Sequence, residues 1–164
     1  MKHYQIKESA QTEEFYKDIA EEAETINCPV AQAVARVVYQ KSGTGGYFWR
    51  SICGGTFYPE KVIIQGPNCI DYAIVLQNIL KKYFNINSQI KETQLVLVKK
   101  HQYLLTDNNE VLDLIVGISE FPDGYFKNEK IYLKELEKIN QQKWKLIPKQ
   151  IKAILFPKTR KKLC

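Results

Sequence analysis

Cysteine and histidine are the residues from which nucleophilic chemistry would be built. The chain has four cysteines, at positions 28, 53, 69 and 164, and two histidines, His3 and His101. A thiol attacks as its thiolate, and the free amide dipoles at a helix N-terminus favour that negative charge. It also needs a base within hydrogen-bond reach and a third group that orients the base. Cys69 follows Gly66-Pro67-Asn68, a stop followed by a good N-cap, and opens the most periodic run in the sequence. Cys69, Tyr72, Ala73, Leu76, Ile79, Leu80 and Tyr83 recur at spacings of three and four, the stripe of one helix face. The Asn68 side-chain carbonyl can take an otherwise unpaired amide proton of the first turn. Cys69 is thereby expected at the first helical position.

His3 lies in a terminus, which leaves His101 as the imidazole base. Its strand, His101 to Thr106, and a second strand, Glu110 to Val116, flank Asp107-Asn108-Asn109, a hairpin turn composition. With those three residues as the loop, Thr106 pairs with Glu110 and Tyr103 faces Asp113. His101 shares the face of Tyr103, because residues two apart do so, and Asp113 becomes its diagonal neighbour. A two-residue loop would instead put His101 and Asp113 on opposite faces, so the reading hangs on register. Cys28, just before Pro29, is a rival nucleophile that also stands at a helix start, but no histidine is paired to it by this logic. Cys53, between glycines, ranks below it. Each residue also has a bland reading: a buried small hydrophobe, a packing histidine, a turn-flanking carboxylate.

The run Asn68-Cys69-Ile70-Asp71-Tyr72-Ala73, then a helix, then His101-Gln102-Tyr103-Leu104-Leu105, a turn, and Val111-Leu112-Asp113-Leu114 resembles the transglutaminase-like branch of the papain-type cysteine fold. The resemblance covers about residues 60–117. It implies a nucleophile at Cys69, a general base and acid at His101, an orienting carboxylate at Asp113, and attack on an amide or ester carbonyl through a thioester. Asp71, two residues after the cysteine, fits a pattern common in bacterial members. Gln102 and Tyr103 depart from the small or aromatic residue that often follows the histidine. The family's glutamine before the cysteine points to Gln65 as an oxyanion donor, although Gln65 lies closer to Cys69 than that pattern has it. The Cys69 amide is the other candidate.

The elements that must position these residues follow from patterning. Residues 12–25 read as an amphipathic helix with Thr12 as its cap, and a second helix starts near Pro29 and runs through Val38. Lys41 to Gly55 reads as a glycine-rich loop around Tyr47-Phe48-Trp49, without the Gly-Lys-Ser/Thr ending of a phosphate-binding loop. Phe57 to Ile64 looks extended, and Gln89 to Lys99 reads as a strand. Phe121 to Gly124 reads as a turn, Leu133 to Ile139 as a short helix, Lys143 to Ile147 as an edge strand, and Pro148 as the start of a last helix. The expected architecture is α+β. N-terminal helices and the cysteine-bearing helix pack on an antiparallel sheet, in one domain spanning residues 1–164.

Composition bounds the partners. At 164 residues, with 45% hydrophobic and 26% charged residues, the chain has the make-up of one globular domain. No apolar run reaches the ~20 residues that span a bilayer, and the N-terminus shows no signal-peptide pattern, so a cytoplasmic location is expected. The cysteines show no Cys-x-x-Cys spacing, which argues against a structural zinc site and a disulfide scaffold, and acyl transfer by a thiol needs no cofactor. The net charge of +6 is uneven: after Trp144 every charged side chain is basic. The tail at 157–164 is expected to be a solvated terminus, or to attract an acidic partner such as nucleic acid. Two rivals to a peptidase, amidase, deamidase or crosslinking enzyme stand: a non-catalytic binding protein that uses this basic segment, and a cell-wall amidase. The substrate expected for the enzyme is a protein or peptide.

Overall fold

The computed structural model describes residues 4–43, 55–95, 98–114 and 124–141. Most of the glycine-rich loop, Cys53, Cys164, His3, the expected elements after Lys143 and the basic tail at 157–164 lie outside the described residues, as does most of the turn at 121–124.

The chain order is β1 (Tyr4–Ile6), α1 (Ala10–Glu24), α2 (Val30–Lys41), β2 (Gly55–Phe57), α3 (Pro59–Gln65), α4 (Cys69–Phe84), β3 (Ser88–Leu95), β4 (Val98–Thr106), β5 (Val111–Leu112), β6 (Tyr125–Phe126) and α5 (Glu129–Gln141). Among the described residues this is an α+β arrangement of five helices and a four-stranded antiparallel sheet in the order β3-β4-β5-β6. A separate short parallel pair joins β1 to β2.

Local chemistry explains the helix boundaries. Ser9, not Thr12, caps α1. The Ser9 hydroxyl accepts the Thr12 N–H at 3.1 Å and the Thr12 hydroxyl accepts the Ser9 N–H at 3.0 Å, a reciprocal box with Thr12 at its third helical position. The Thr12 hydroxyl also donates to Glu60 at 2.8 Å and so ties α1 to α3. Pro29 is the N-cap of α2. The expectation of an extended Phe57 to Ile64 is corrected: only Gly55–Phe57 is strand, and Pro59 opens a helix. Proline at the first helical position gives up an amide proton that has no partner there anyway, and Glu60 in the first turn suits the positive helix end. These local preferences outweigh the β-branched run Val62-Ile63-Ile64.

The sheet divides the core. Alternation along β4 and β5 sends Leu104 and Leu112 to one face, where they meet the apolar stripes of α1, α2 and α4, including Tyr16, Val34, Leu76 and Ile79. Tyr103 and Val111 turn to the other face and join Phe126, Tyr132 and Leu136. Helix α5 therefore covers the face opposite the cysteine-bearing helix, a layer the sequence reading did not place. The strand boundary also differs from expectation. β3 ends at Leu95 and His101 stands inside the nine-residue β4, with a register shift between Thr93 and Leu95. No helix among the described residues is long and apolar enough to cross a membrane.

Candidate active site

Cys69 is the first residue of α4, and its position is set by a reciprocal cap. The Asn68 side chain accepts the Asp71 N–H at 2.9 Å, while the Asp71 carboxylate accepts the Asn68 N–H at 2.8 Å. The box fixes the first turn, so the amides of Cys69 and Ile70, which have no acceptor within the helix, open toward the thiol end. Asp71 is buried, and burial pushes its carboxyl up to about 6 even though the Asn68 amide favours the charged form.

His101 and Asp113 come together through the hairpin register. Leu104 pairs with Leu112 and Leu105 with Val111, which carries Tyr103 opposite Asp113 and Thr106 opposite Glu110. The Thr106 N–H donates to the Glu110 carbonyl at 2.9 Å, and Asn109 closes the three-residue loop with φ 65°. The diagonal contact follows: His101 Nε2 lies 2.6 Å from Asp113 Oδ2, and both side chains are 1% exposed.

Cys69 completes the set. Its thiol faces the His101 side chain and the Gln102 backbone amide, the two polar groups that act on it most strongly. Since Nε2 is engaged by Asp113, Nδ1 is the ring nitrogen left for sulfur. Burial alone would raise the Cys69 thiol, but the His101 hydrogen bond, the Gln102 amide and the imidazole charge together hold it below the ordinary thiol range. Burial alone would lower His101, yet the Asp113 and Cys69 contacts raise it to about 9. Both directions favour a thiolate beside an imidazolium, the reactive pair of cysteine acyl-transfer enzymes.

The remaining sequence candidates fall elsewhere. Gln65 is exposed and ends α3, four residues before the thiol. The Cys28 thiol donates to the Pro29 carbonyl at 3.7 Å, far in the chain from the histidine strand. Among the described residues no group of three or more His, Cys, Asp or Glu is arranged to hold a metal ion.

Two contributions escaped the sequence reading. One is the Gln102 amide, whose role depends on where α4 meets β4. The other is Tyr132, whose hydroxyl donates to Asp113 Oδ2 at 2.9 Å. A sequence cue for Tyr132 did exist. Asn128 accepts the Ile131 N–H at 2.9 Å as a helix cap, and a helix started there puts Tyr132, Leu136 and Ile139 on one stripe. The expected helix began at Leu133 and left Tyr132 out.

Comparison of the chain with protein-family models, with curated proteins and with solved structures finds no match.

Proposed function

We propose that this protein is a cysteine-dependent acyl-transfer enzyme of the transglutaminase-like, papain-type class, acting on an amide of a protein or peptide. The observation that carries this reading is Cys69 at the N-terminus of α4 beside a buried His101 whose Nε2 lies 2.6 Å from Asp113 Oδ2. Cys69 is partly exposed, whereas His101 and Asp113 are buried, so the residue read as the nucleophile is the accessible member of the three.

The chemistry follows from that order. The Cys69 thiolate attacks the carbonyl carbon, a C–S bond forms and the carbonyl electrons move onto oxygen. The amide of Cys69 stands at the helix end to receive that oxyanion. Collapse breaks the C–N bond as the His101 imidazolium gives its proton to the departing amine. Water or a second amine, deprotonated by His101, then attacks the thioester and releases the thiolate. Asp113 holds the ring with Nε2 inward throughout. No metal or organic cofactor is required by these steps.

The test is alkylation with limiting iodoacetamide at neutral pH and at about pH 6, read by mass spectrometry at each cysteine. Preferential labelling of Cys69 that persists at the lower pH and drops in His101→Ala supports the reading. Peptide and amide libraries then define the acyl donor, with free amines added to separate hydrolysis from crosslinking. Labelling of Cys69 no faster than Cys164 overturns the reading.

A further inference from the structure

We infer that Tyr132 of α5 is a positioning residue for this site, holding the Asp113 carboxylate in the orientation that His101 needs. The inference rests on the reading of Cys69 as nucleophile. Its hydroxyl donates to Asp113 Oδ2 at 2.9 Å, the same oxygen that His101 Nε2 meets at 2.6 Å. One carboxylate oxygen thus carries two donors from two directions: the imidazole on β4 and a phenol on the helix covering the sheet. With both in place the carboxylate cannot rotate about its last bond without losing a buried hydrogen bond, a loss that is costly where water cannot replace it.

The phenol is itself held. Tyr132 is wholly buried, its ring 5.1 Å from Phe126 at 71° and 4.6 Å from Tyr103 at 46°. Tyr103 in turn donates to Glu129, in the first turn of α5, at 2.7 Å. Tyr103 stands two residues from His101 on the same strand, so α5 is fastened to β4 beside the catalytic ring. Burial and the Asp113 charge both raise the Tyr132 hydroxyl, which keeps it a donor across the working pH range.

The direction of the effect can be worked out. A well-held Asp113 stabilises the imidazolium, and the imidazolium stabilises the thiolate. Among the described residues, the groups facing this network include Cys69 from α4, His101 and Tyr103 from β4, Asp113 after β5, and Glu129 and Tyr132 from α5. If Tyr132 positions the carboxylate, removal of its hydroxyl weakens the imidazolium and moves the acidic limb of Cys69 reactivity to higher pH. If the hydroxyl merely drains charge from Asp113, its removal strengthens the pair and the limb moves lower.

The experiment measures the pH profile of Cys69 alkylation in wild type, Tyr132→Phe, Phe126→Leu and His101→Ala, with folding checked by circular dichroism. The expected result for Tyr132→Phe is an upward shift of the acidic limb by about half to one pH unit, a roughly three- to tenfold slower reaction at pH values below the wild-type midpoint. Phe126→Leu, which loosens the ring packing without touching the hydroxyl, is expected to leave the limb in place. A limb that stays put or moves lower in folded Tyr132→Phe, while His101→Ala shifts it, overturns the inference and leaves the nucleophile reading standing. A limb that His101→Ala does not move sinks both. Should Tyr132→Phe fail to fold, the wild-type protein decides by NMR. A downfield Tyr132 hydroxyl proton that shifts as His101 titrates supports the inference, and one indifferent to His101 overturns it.

Discussion

The Asp113 N–H donates to the Gly124 carbonyl at 2.8 Å, and a Cβ built on Gly124 would lie 2.4 Å from the Asp113 carbonyl oxygen. The backbone that carries the Asp113 carboxylate is therefore pressed against a residue that must have no side chain. Gly124 also adopts φ +62°, a conformation that costs other residues about 1 kcal/mol or more.

Gly124→Ala should accordingly act on the site through the main chain. The new methyl group has only backbone to displace, so either the turn or Asp113 must shift. The expected outcome is a loss of roughly 1–3 kcal/mol of stability together with slower Cys69 alkylation at pH 6. Urea denaturation and the alkylation rate measure the two effects. Unchanged values for both would mean that the chain relaxes around the methyl without moving the carboxylate.

The coupled pair fixes a pH dependence. His101 is raised above its ordinary 6.5 to about 9, so its stabilising contribution is full below 6.5 and is lost as pH rises through about 9. Cys69 is lowered, so its contribution is present above the ordinary thiol range and is lost as pH falls through its depressed value. Turnover should form a bell, with the acidic limb set by loss of the thiolate and the alkaline limb near 9 by loss of the imidazolium proton. Urea midpoints between pH 6 and 10 provide the stability readout. In a Cys69→Ser background, where no thiol titration offsets it, the protein with His101 should lose stability relative to His101→Gln as pH rises on the alkaline side, and parallel curves would contradict the imidazolium assignment.

The parts of the site legible in the sequence are those that local chemistry decides. Asn68 announces a helix start because its cap is made within four residues, and Asp107-Asn108-Asn109 sets a register that carries to Asp113 by counting. The contributions of Tyr132, Gly124 and the Gln102 amide depend on where distant elements meet. Nothing near residue 113 reports that α5 folds over it. The helix at Pro59 misled for the opposite reason: the β-branched Val62, Ile63 and Ile64 suit a strand, but Pro59 at the first helical position and Glu60 in the first turn favour the helix that forms. β1, β2 and β6, each two or three residues long, are too short to leave a pattern.

Asn68→Ala should uncap α4. It removes the acceptor for the Asp71 N–H at 2.9 Å and frees the turn that opens at Cys69. A stability loss of about 1 kcal/mol is expected from the cap alone. Because fraying moves the amide dipoles away from sulfur, Cys69 should also become less acidic, visible as slower alkylation at pH 6. Asn68→Asp, which retains an acceptor, should restore most of the stability.

Asp71 gives the opposite sign from an ordinary paired carboxylate. Its folded value, pushed by burial to about 6, lies above its unfolded value of 3.8. The folded state binds the proton more tightly, so this contribution is full below 3.8 and is lost as pH rises through about 6. Asp71→Asn can still accept the Asn68 N–H while placing no charge in the interior. The variant should therefore gain on wild type between pH 4 and 7, by on the order of 2 kcal/mol across the window. Urea denaturation of both proteins at pH 4, 5.5 and 7 measures the gain. A difference that stays constant across that range would mean that Asp71 is charged at both ends, and that the cap rather than burial governs its proton.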